Sequence, residues 1–244
     1  MKAAAISEQG TRPDMEDAFY LDADFAGRAW IYGGVYDGHG GDRAAKHAAS
    51  TLHSLFVEAH LSGLEPAEAF IFAYERVGQQ LENQESGTTA TDFFIRESDV
   101  FVANAGDSRA IVVGQTEVKQ LTAEHRLTDR SERTRILEAG GGIRPPYVTR
   151  GTQGIMTTRS LGDRYFRPAG IIAVPSITRH AVSNEDLFLI SASDGLWDNM
   201  TNEDVSAIAR TYSEPRALLS ALRDEVLHTW LGSDNLTVIA VSLH

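Results

Sequence analysis

Apolar positions along this chain recur at two spacings, and each change of spacing marks a change of element. Residues 2–7, 17–22 and 29–36 are short apolar runs of strand length, and the last closes on Asp37-Gly38-His39-Gly40-Gly41. Over 42–60 the spacing becomes helical, with Ala45, Ala48, Ala49, Leu52, Leu55, Phe56 and Ala59 on one stripe. A second stripe, Phe70, Ala73, Val77 and Leu81, predicts a helix over 66–83, with Pro66 in a first-turn position that needs no N–H. Strand-like runs return at 88–96, 99–104, 109–114 and 117–121, separated by Gly, Asp, Ser and Asn at hairpin spacing. Residues 130–139 predict a short helix ending at Gly140-Gly141-Gly142, and the proline-bearing stretch 140–175 predicts an irregular surface flap. Leu187-Phe188-Leu189-Ile190 predicts a strand buried on both faces, followed by helices at 202–211 and 214–229 and a last strand over 236–243. Two helices, a run of strands, two helices and a final strand suit a layered α+β domain better than a doubly wound sheet.

With 244 residues and no repeat, low-complexity segment or linker, the expectation is one domain, 1–244. The net charge of −12 argues against partners that are nucleic acid or anionic membrane. The absence of cysteine excludes disulfides, thiolate zinc sites and any cysteine nucleophile. No leader-like apolar run opens the chain and no segment is long enough to span a bilayer, so a soluble, cytoplasmic location is expected.

Four aspartates share one local setting, an apolar run beside a turn. Asp37 follows 31–36, Asp107 lies in Gly106-Asp107-Ser108-Arg109 between two hairpin strands, Asp194 follows the buried run, and Asp234 precedes the final strand. A single Asp-Gly is normally a turn and nothing more. Four carboxylates converging on one sheet edge would repel, so convergence predicts bound cations, and oxygen-only ligands favour Mg²⁺ or Mn²⁺ over zinc. His39 stands where it can move a proton. Arg12 precedes the pair Glu16-Asp17 by four and five residues, which can set a guanidinium fork beside a metal site for phosphoryl oxygens.

Arg12-x-x-Met15-Glu16-Asp17, Asp37 to Gly41, Ser86-Gly87-Thr88-Thr89-Ala90, Gly106 to Arg109, Ser160-Leu161-Gly162-Asp163, Ser193-Asp194-Gly195-Leu196-Trp197-Asp198 and Asp234-Asn235 occur in this order. Together they resemble the type-2C family of metal-dependent protein serine/threonine phosphatases, over residues 6 to 242. The resemblance implies a four-layer α/β/β/α sandwich, two antiparallel sheets with a helix pair on each outer face. It implies that Asp37 bridges two metals, that Gly38 offers its carbonyl, and that Asp194 and Asp234 hold the other metal. Glu16 would act through water, Asp17 would orient the site, and Asp107 with Asp194 would hold a weaker third ion. Two such ions about 3.5–4 Å apart can lower the pKa of a shared water towards neutrality. The implied reaction is in-line hydrolysis of phosphoserine or phosphothreonine in proteins, without a covalent intermediate. Arg12 would hold the phosphate and His39 would protonate the leaving oxygen. Phosphoproteins are the implied partners, and the family's catalytic domains are commonly monomeric.

The other residues read more plainly. His47, His53 and His60 do not have the spacing of a helical metal pair, and Phe70, Phe72 and Tyr74 read as core and surface. Glu124 stands before His125 where the family pattern has aspartate, a change expected to alter only a local contact. The segment after Asp163, about 163–186, reads as a short flap, with Arg144, Arg150, Arg164 and Arg167 in or near it. Phe19-Tyr20-Leu21-Asp22-Ala23-Asp24 allows a rival, a haloacid-dehalogenase-type phosphatase working through an aspartyl phosphate, but leaves Asp37 to Gly41 unexplained. A pseudophosphatase that only binds a partner is the non-enzymatic alternative, and its usual sign, a missing ligand, is absent.

Overall fold

The computed structural model describes residues 1–244. Two five-stranded antiparallel sheets form its centre. One runs Ala3–Glu8, Leu236–Ser242, Asp186–Ala192, Arg109–Gly114 and Val118–Gln120, and the other runs Ser176–Ala181, Asp99–Ala105, Ala90–Arg96, Trp30–Tyr36 and Ala18–Phe25. Side chains alternate across each strand, so a central strand serves two layers. In Trp30–Tyr36, Ile31 and Val35 face the other sheet, while Tyr32 and Tyr36 face the helices. The dry layer between the sheets is aliphatic: Ile31, Val35, Val100 and Val102 meet Val112, Leu189, Ile239 and Val241, with Phe93 among them.

The outer layers follow the helical stripes. Arg43–Leu61 and Pro66–Gln80 bury Ala48, Leu52, Phe56, Phe70, Ala73 and Val77 on the second sheet. Pro66 occupies the first turn as expected, and Glu65 and Glu68 close a capping box around it. Asn202–Ala209 and Pro215–Asp224 bury Val205, Leu218, Leu219 and Leu222 on the first sheet, and a π-helical turn, Glu225–Thr229, ends this layer. The result is the four-layer α/β/β/α sandwich.

Two stretches depart from the sequence pattern. Residues 140–175 are not irregular: Gly142–Arg144, Tyr147–Arg150 and Gln153–Ile155 pair as a small antiparallel sheet. With helix Arg130–Glu138 this sheet encloses its own core of Ile136, Val148, Ile155, Phe166 and Ile171. Its strands, three or four residues each, are too short to display an alternation of two. The bounds of the expected flap, about 163–186, also change. Ser176–Ala181 pairs with Asp99–Ala105 as an edge strand, so the projecting lobe lies mostly before Asp163. That strand, Ser-Ile-Thr-Arg-His-Ala, has one face largely in water and little apolar signal.

Asp92 on strand Ala90–Arg96 is fully buried beneath the helix pair and accepts hydrogen bonds from Tyr32 (2.8 Å), Tyr36 (2.5 Å) and Tyr74 (2.7 Å). Burial pushes its carboxyl up to about 6 although all three hydroxyls favour the charged form. The folded state therefore holds this proton more tightly than the unfolded chain, whose aspartates titrate near 3.9. Stability from this site is full below about pH 4 and declines as pH rises through about 6. Asp92→Asn keeps an acceptor without the charge. Its thermal midpoint relative to wild type should rise between pH 4 and 6.5 by the equivalent of on the order of 2–3 kcal/mol, then level off. Calorimetric scans of both proteins across that range check this, and a constant difference would refute it.

Candidate metal centre and active-site cleft

The chain's strand ends explain how distant carboxylates meet. Asp37 leaves the end of Trp30–Tyr36 in one sheet, and Asp194 leaves the end of Asp186–Ala192 in the other. Asp107 sits on the link that carries the chain from one sheet to the other, and Asp234 on the approach to Leu236–Ser242. All four line one cleft of about 480 Å³ together with Arg12, Glu16, Gly38 and His39. Every residue expected at the site is therefore brought there, with Asp17 buried just behind it.

Local chemistry shapes the cleft floor. A side chain on Gly38 would lie 2.2 Å from the Glu16 carbonyl, so only glycine lets these two segments touch. Gly40 and Gly41, at φ 66° and 113°, then turn the chain into helix Arg43–Leu61, and the Gly41 N–H donates to Glu16 Oε1 at 2.5 Å. Asn235 pins the N-terminal segment, accepting from the Glu16 N–H and donating to the carbonyls of Gln9 and Asp14. The Ser86 to Ala90 motif braces Asp37: the Thr88 hydroxyl donates to the Asp37 carbonyl, and the Asp37 N–H donates to the Thr89 hydroxyl.

The electrostatics are those of crowded anions. Burial, then the charges of Asp194, Asp17 and Asp107, hold the Asp37 carboxyl well above the usual carboxylate range. Burial, with Asp107 and Asp198 nearby, lifts Asp194 to about 7, and burial lifts Asp17 to about 6 against hydrogen bonds from Thr237 and Ser193. The Asp194 N–H points at Asp37 Oδ2 from 3.4 Å. Two arginines already sit on members of the set. Arg12 pairs with Asp234 at 2.5 Å, while Arg126 pairs with Asp107 at 3.0 Å and reaches Asp198 at 3.4 Å. As the side chains stand, no three of the carboxylates surround one point closely enough to coordinate an ion. The donor chemistry nonetheless fits hard divalent cations: oxygens alone, largely buried, and repelling one another until positive charge arrives.

His39 Nε2 meets both oxygens of Asp163 at 2.8 and 2.9 Å, and Asp163 also accepts from the Ser160 hydroxyl at 2.5 Å. Burial alone would lower the imidazole's pKa, but the charge and hydrogen bond of Asp163 outweigh it and the net shift is upward. The Ser160 to Asp163 motif was visible in the sequence, yet the pairing of Asp163 with His39 was not, because 124 residues separate them. The pairing of Arg126 with Asp107 and Asp198, just outside the cleft lining, was hidden in the same way. Glu124 stands among the arginines beside Asp107. It hydrogen-bonds Arg109 Nε at 2.8 Å and lies 3.6 Å from Arg126, the residue that holds Asp107. His125 behind it is pushed down to about 4 by burial; its Nδ1 accepts the Gly106 N–H and fixes the Asp107 turn.

The three histidines of helix Arg43–Leu61 have structural partners. His53 stacks on Tyr20 with centroids 3.7 Å apart, His47 bonds Gln80, and His60 packs against Phe56. Phe70 and Tyr74 are core, and Phe72 packs partly buried against it. Asp22 and Asp24, on which the dehalogenase-type reading depends, lie toward the opposite end of Ala18–Phe25 from Asp17 and do not line the cleft. Asp24 instead accepts the Ala29 N–H in the following turn, which removes that reading's support. Of the lobe arginines, Arg167 is tied to the carbonyls of Gly162, Ser160 and Ile171, and Arg150 lies on the Tyr165 ring.

Residues 1–229 match the family described as Protein phosphatase 2C. A probable protein phosphatase 2C of rice (Oryza sativa subsp. japonica), named as mitochondrial, is 31% identical over 252 residues, covering 100% of this chain and 69% of the relative. A probable protein phosphatase 2C of Caenorhabditis elegans is 31% identical over 260 residues, covering 96% and 72%. Among solved structures, the serine-threonine phosphatase 2C of Toxoplasma gondii superposes with a TM-score of 0.83 at 22% identity, over 98% of this chain and 94% of that one. A bacterial serine phosphatase follows at 0.76 and 20%, over 100% and 98%; at these identities the two structures speak for the fold. The chain belongs to the protein phosphatase 2C family of serine/threonine phosphatases. No helix is long and apolar enough to cross a membrane.

The crowding of anions has a measurable cost. Asp37→Asn and Asp194→Asn each remove a buried carboxyl whose ionised form burial and its neighbours disfavour. In chelator, each variant is expected to melt above wild type, by roughly 2–4 °C per kcal/mol of repulsion relieved. Millimolar Mn²⁺ should raise the wild-type midpoint and leave both variants nearly unmoved. Differential scanning fluorimetry with EDTA and with Mn²⁺ reads both effects; variants less stable than wild type in EDTA would contradict the repulsion account.

Proposed function

We propose that this chain hydrolyses phosphoserine and phosphothreonine in proteins with the help of Mg²⁺ or Mn²⁺, and without a phosphorylated enzyme intermediate. The observation that carries the reading is the meeting of Asp37, Asp107, Asp194 and Asp234 with Arg12 and His39 in a single cleft, in a member of this family. Asp37, the Gly38 carbonyl, Asp194 and Asp234 would hold two cations, Glu16 would support them through water, and Asp107 with Asp194 would hold a weaker third. Bound, these cations would supply Lewis-acid polarisation of the phosphoryl group and an acidified water.

The chain's own residues supply the rest. Arg12 sits exposed at the cleft rim on Asp234, and its fork can turn to phosphoryl oxygens once Asp234 is otherwise neutralised. His39 reaches into the cleft from a fixed position, since Asp163 holds Nε2 and is itself held by Ser160. Asp163 makes this imidazole hold its proton more tightly than a free one, and an imidazolium is the kind of acid that can protonate a departing serine or threonine oxygen. In that step the P–O bond breaks towards the alkoxide, and the imidazolium proton passes to that oxygen. Asp17, hydrogen-bonded by the Ser193 hydroxyl at 2.8 Å, sets the strand end that carries Asp194.

Leaving groups separate these roles. Asp37→Asn or Asp194→Asn should abolish Mn²⁺-dependent hydrolysis of both p-nitrophenyl phosphate and a phosphothreonine peptide. His39→Gln should slow the peptide reaction by about 10²–10⁴-fold, because an alkoxide needs the proton. The same variant should slow p-nitrophenyl phosphate far less, since p-nitrophenolate leaves unaided. Steady-state kinetics on the two substrates, with an EDTA control, decide the matter. Near-normal turnover by either aspartate variant would overturn the metal assignment, and equal losses on both substrates would remove His39 as the acid.

A further inference from the structure

The lobe over 126–171 carries nine arginines against four carboxylates, in a chain whose net charge is −12. Three of those carboxylates are committed. Glu132 holds Arg135 at 2.7 Å and Arg159 at 2.6 Å, Asp163 holds His39, and Asp129 caps its helix through the N–H groups of Ser131 and Glu132. Arg130 and Arg133 project from the same helix into solvent, three residues apart on one face, and neither has an ion-pair or side-chain hydrogen-bond partner. They line a groove of about 730 Å³ between their helix and the Pro145-Pro146 turn, with Leu127 and Met156 contributing apolar surface. Met156 also lines the catalytic cleft, so groove and cleft are neighbours.

We infer that this groove receives acidic side chains of the phosphoprotein substrate, a few residues along the polypeptide from the phosphorylated one. The inference rests on the phosphatase reading above and adds to it a preference for sequence context. Two unpartnered guanidinium forks over apolar surface match carboxylates in shape as well as charge. The overall charge of −12 repels an anionic phosphopeptide at long range. A local positive strip beside the cleft offsets that repulsion and favours substrates whose acidic residues reach it. The groove's other charged member, Arg126, is engaged with Asp107 and Asp198, so Arg130 and Arg133 carry the contact.

The test compares phosphothreonine peptides with glutamates on the N-terminal side, glutamates on the C-terminal side, or glutamines throughout. Each is assayed with wild type and with the double variant Arg130→Gln/Arg133→Gln. For wild type, one glutamate placement should lower KM by roughly three- to tenfold, the yield of one or two exposed ion pairs, with kcat unchanged and the advantage fading in high salt. The double variant should lose that advantage while hydrolysing p-nitrophenyl phosphate at the wild-type rate, which also reports an intact fold. Equal KM values for all peptides in wild type, or an advantage that survives in the double variant, would overturn the groove. Fluorescence anisotropy of the same peptides, labelled, measures binding without turnover. If wild type hydrolysed nothing, the phosphatase reading would fail, and anisotropy would still uphold or refute the acidic preference.

Discussion

The dry contact between the two sheets is the constraint on which everything else depends. Ile31, Val35, Val100 and Val102 on one side and Val112, Leu189, Ile239 and Val241 on the other leave no room for slippage. A one-residue shift in any of these strands would turn its aliphatic face outward. Register is therefore tightly set, and with it the position at which each strand ends. Asp37, Asp194 and Asp234 lie at such ends, and Asp107 lies on the crossing between sheets. The apolar layer thus aligns charges that would otherwise avoid one another.

That alignment is unfavourable in itself. Buried carboxylates raise one another's pKa, and the structure answers with positive charge at each margin, Arg12 on Asp234 and Arg126 on Asp107. The second of these ties the cleft to the lobe. Arg126 opens the segment that continues into helix Arg130–Glu138, and Glu132 in that helix binds Arg159, a few residues before the Asp163 that holds His39. His39 and Asp107 are thus braced by a single small substructure with its own core. Positive charge left over on its outer face, at Arg130 and Arg133, lies beside the cleft.

Much of the layered fold was legible because its elements advertise themselves. The stripes over Arg43–Leu61 and Pro66–Gln80 and the apolar run in Asp186–Ala192 each bury one or two faces, and burial imposes a period on sequence. The small sheet over 142–155 and the edge strand Ser176–Ala181 bury little and so leave little trace. At the site, the residues legible beforehand were those lying in glycine-marked turns at strand ends. Asp163, Asp198 and Arg126 were not legible as partners, because what they touch lies from 19 to 124 residues away.

By itself, then, the sequence determined the layers, the chemistry of the donors and the family. Periodicity, residue type and motif order are local properties that survive without coordinates. Only the tertiary structure decided which charges neutralise which: Arg12 with Asp234, Arg126 with Asp107, Asp163 with His39, and neither Arg130 nor Arg133 with anything. Coulombic and hydrogen-bonding partners are chosen by distance through space, and that distance exists only once the sheets have packed.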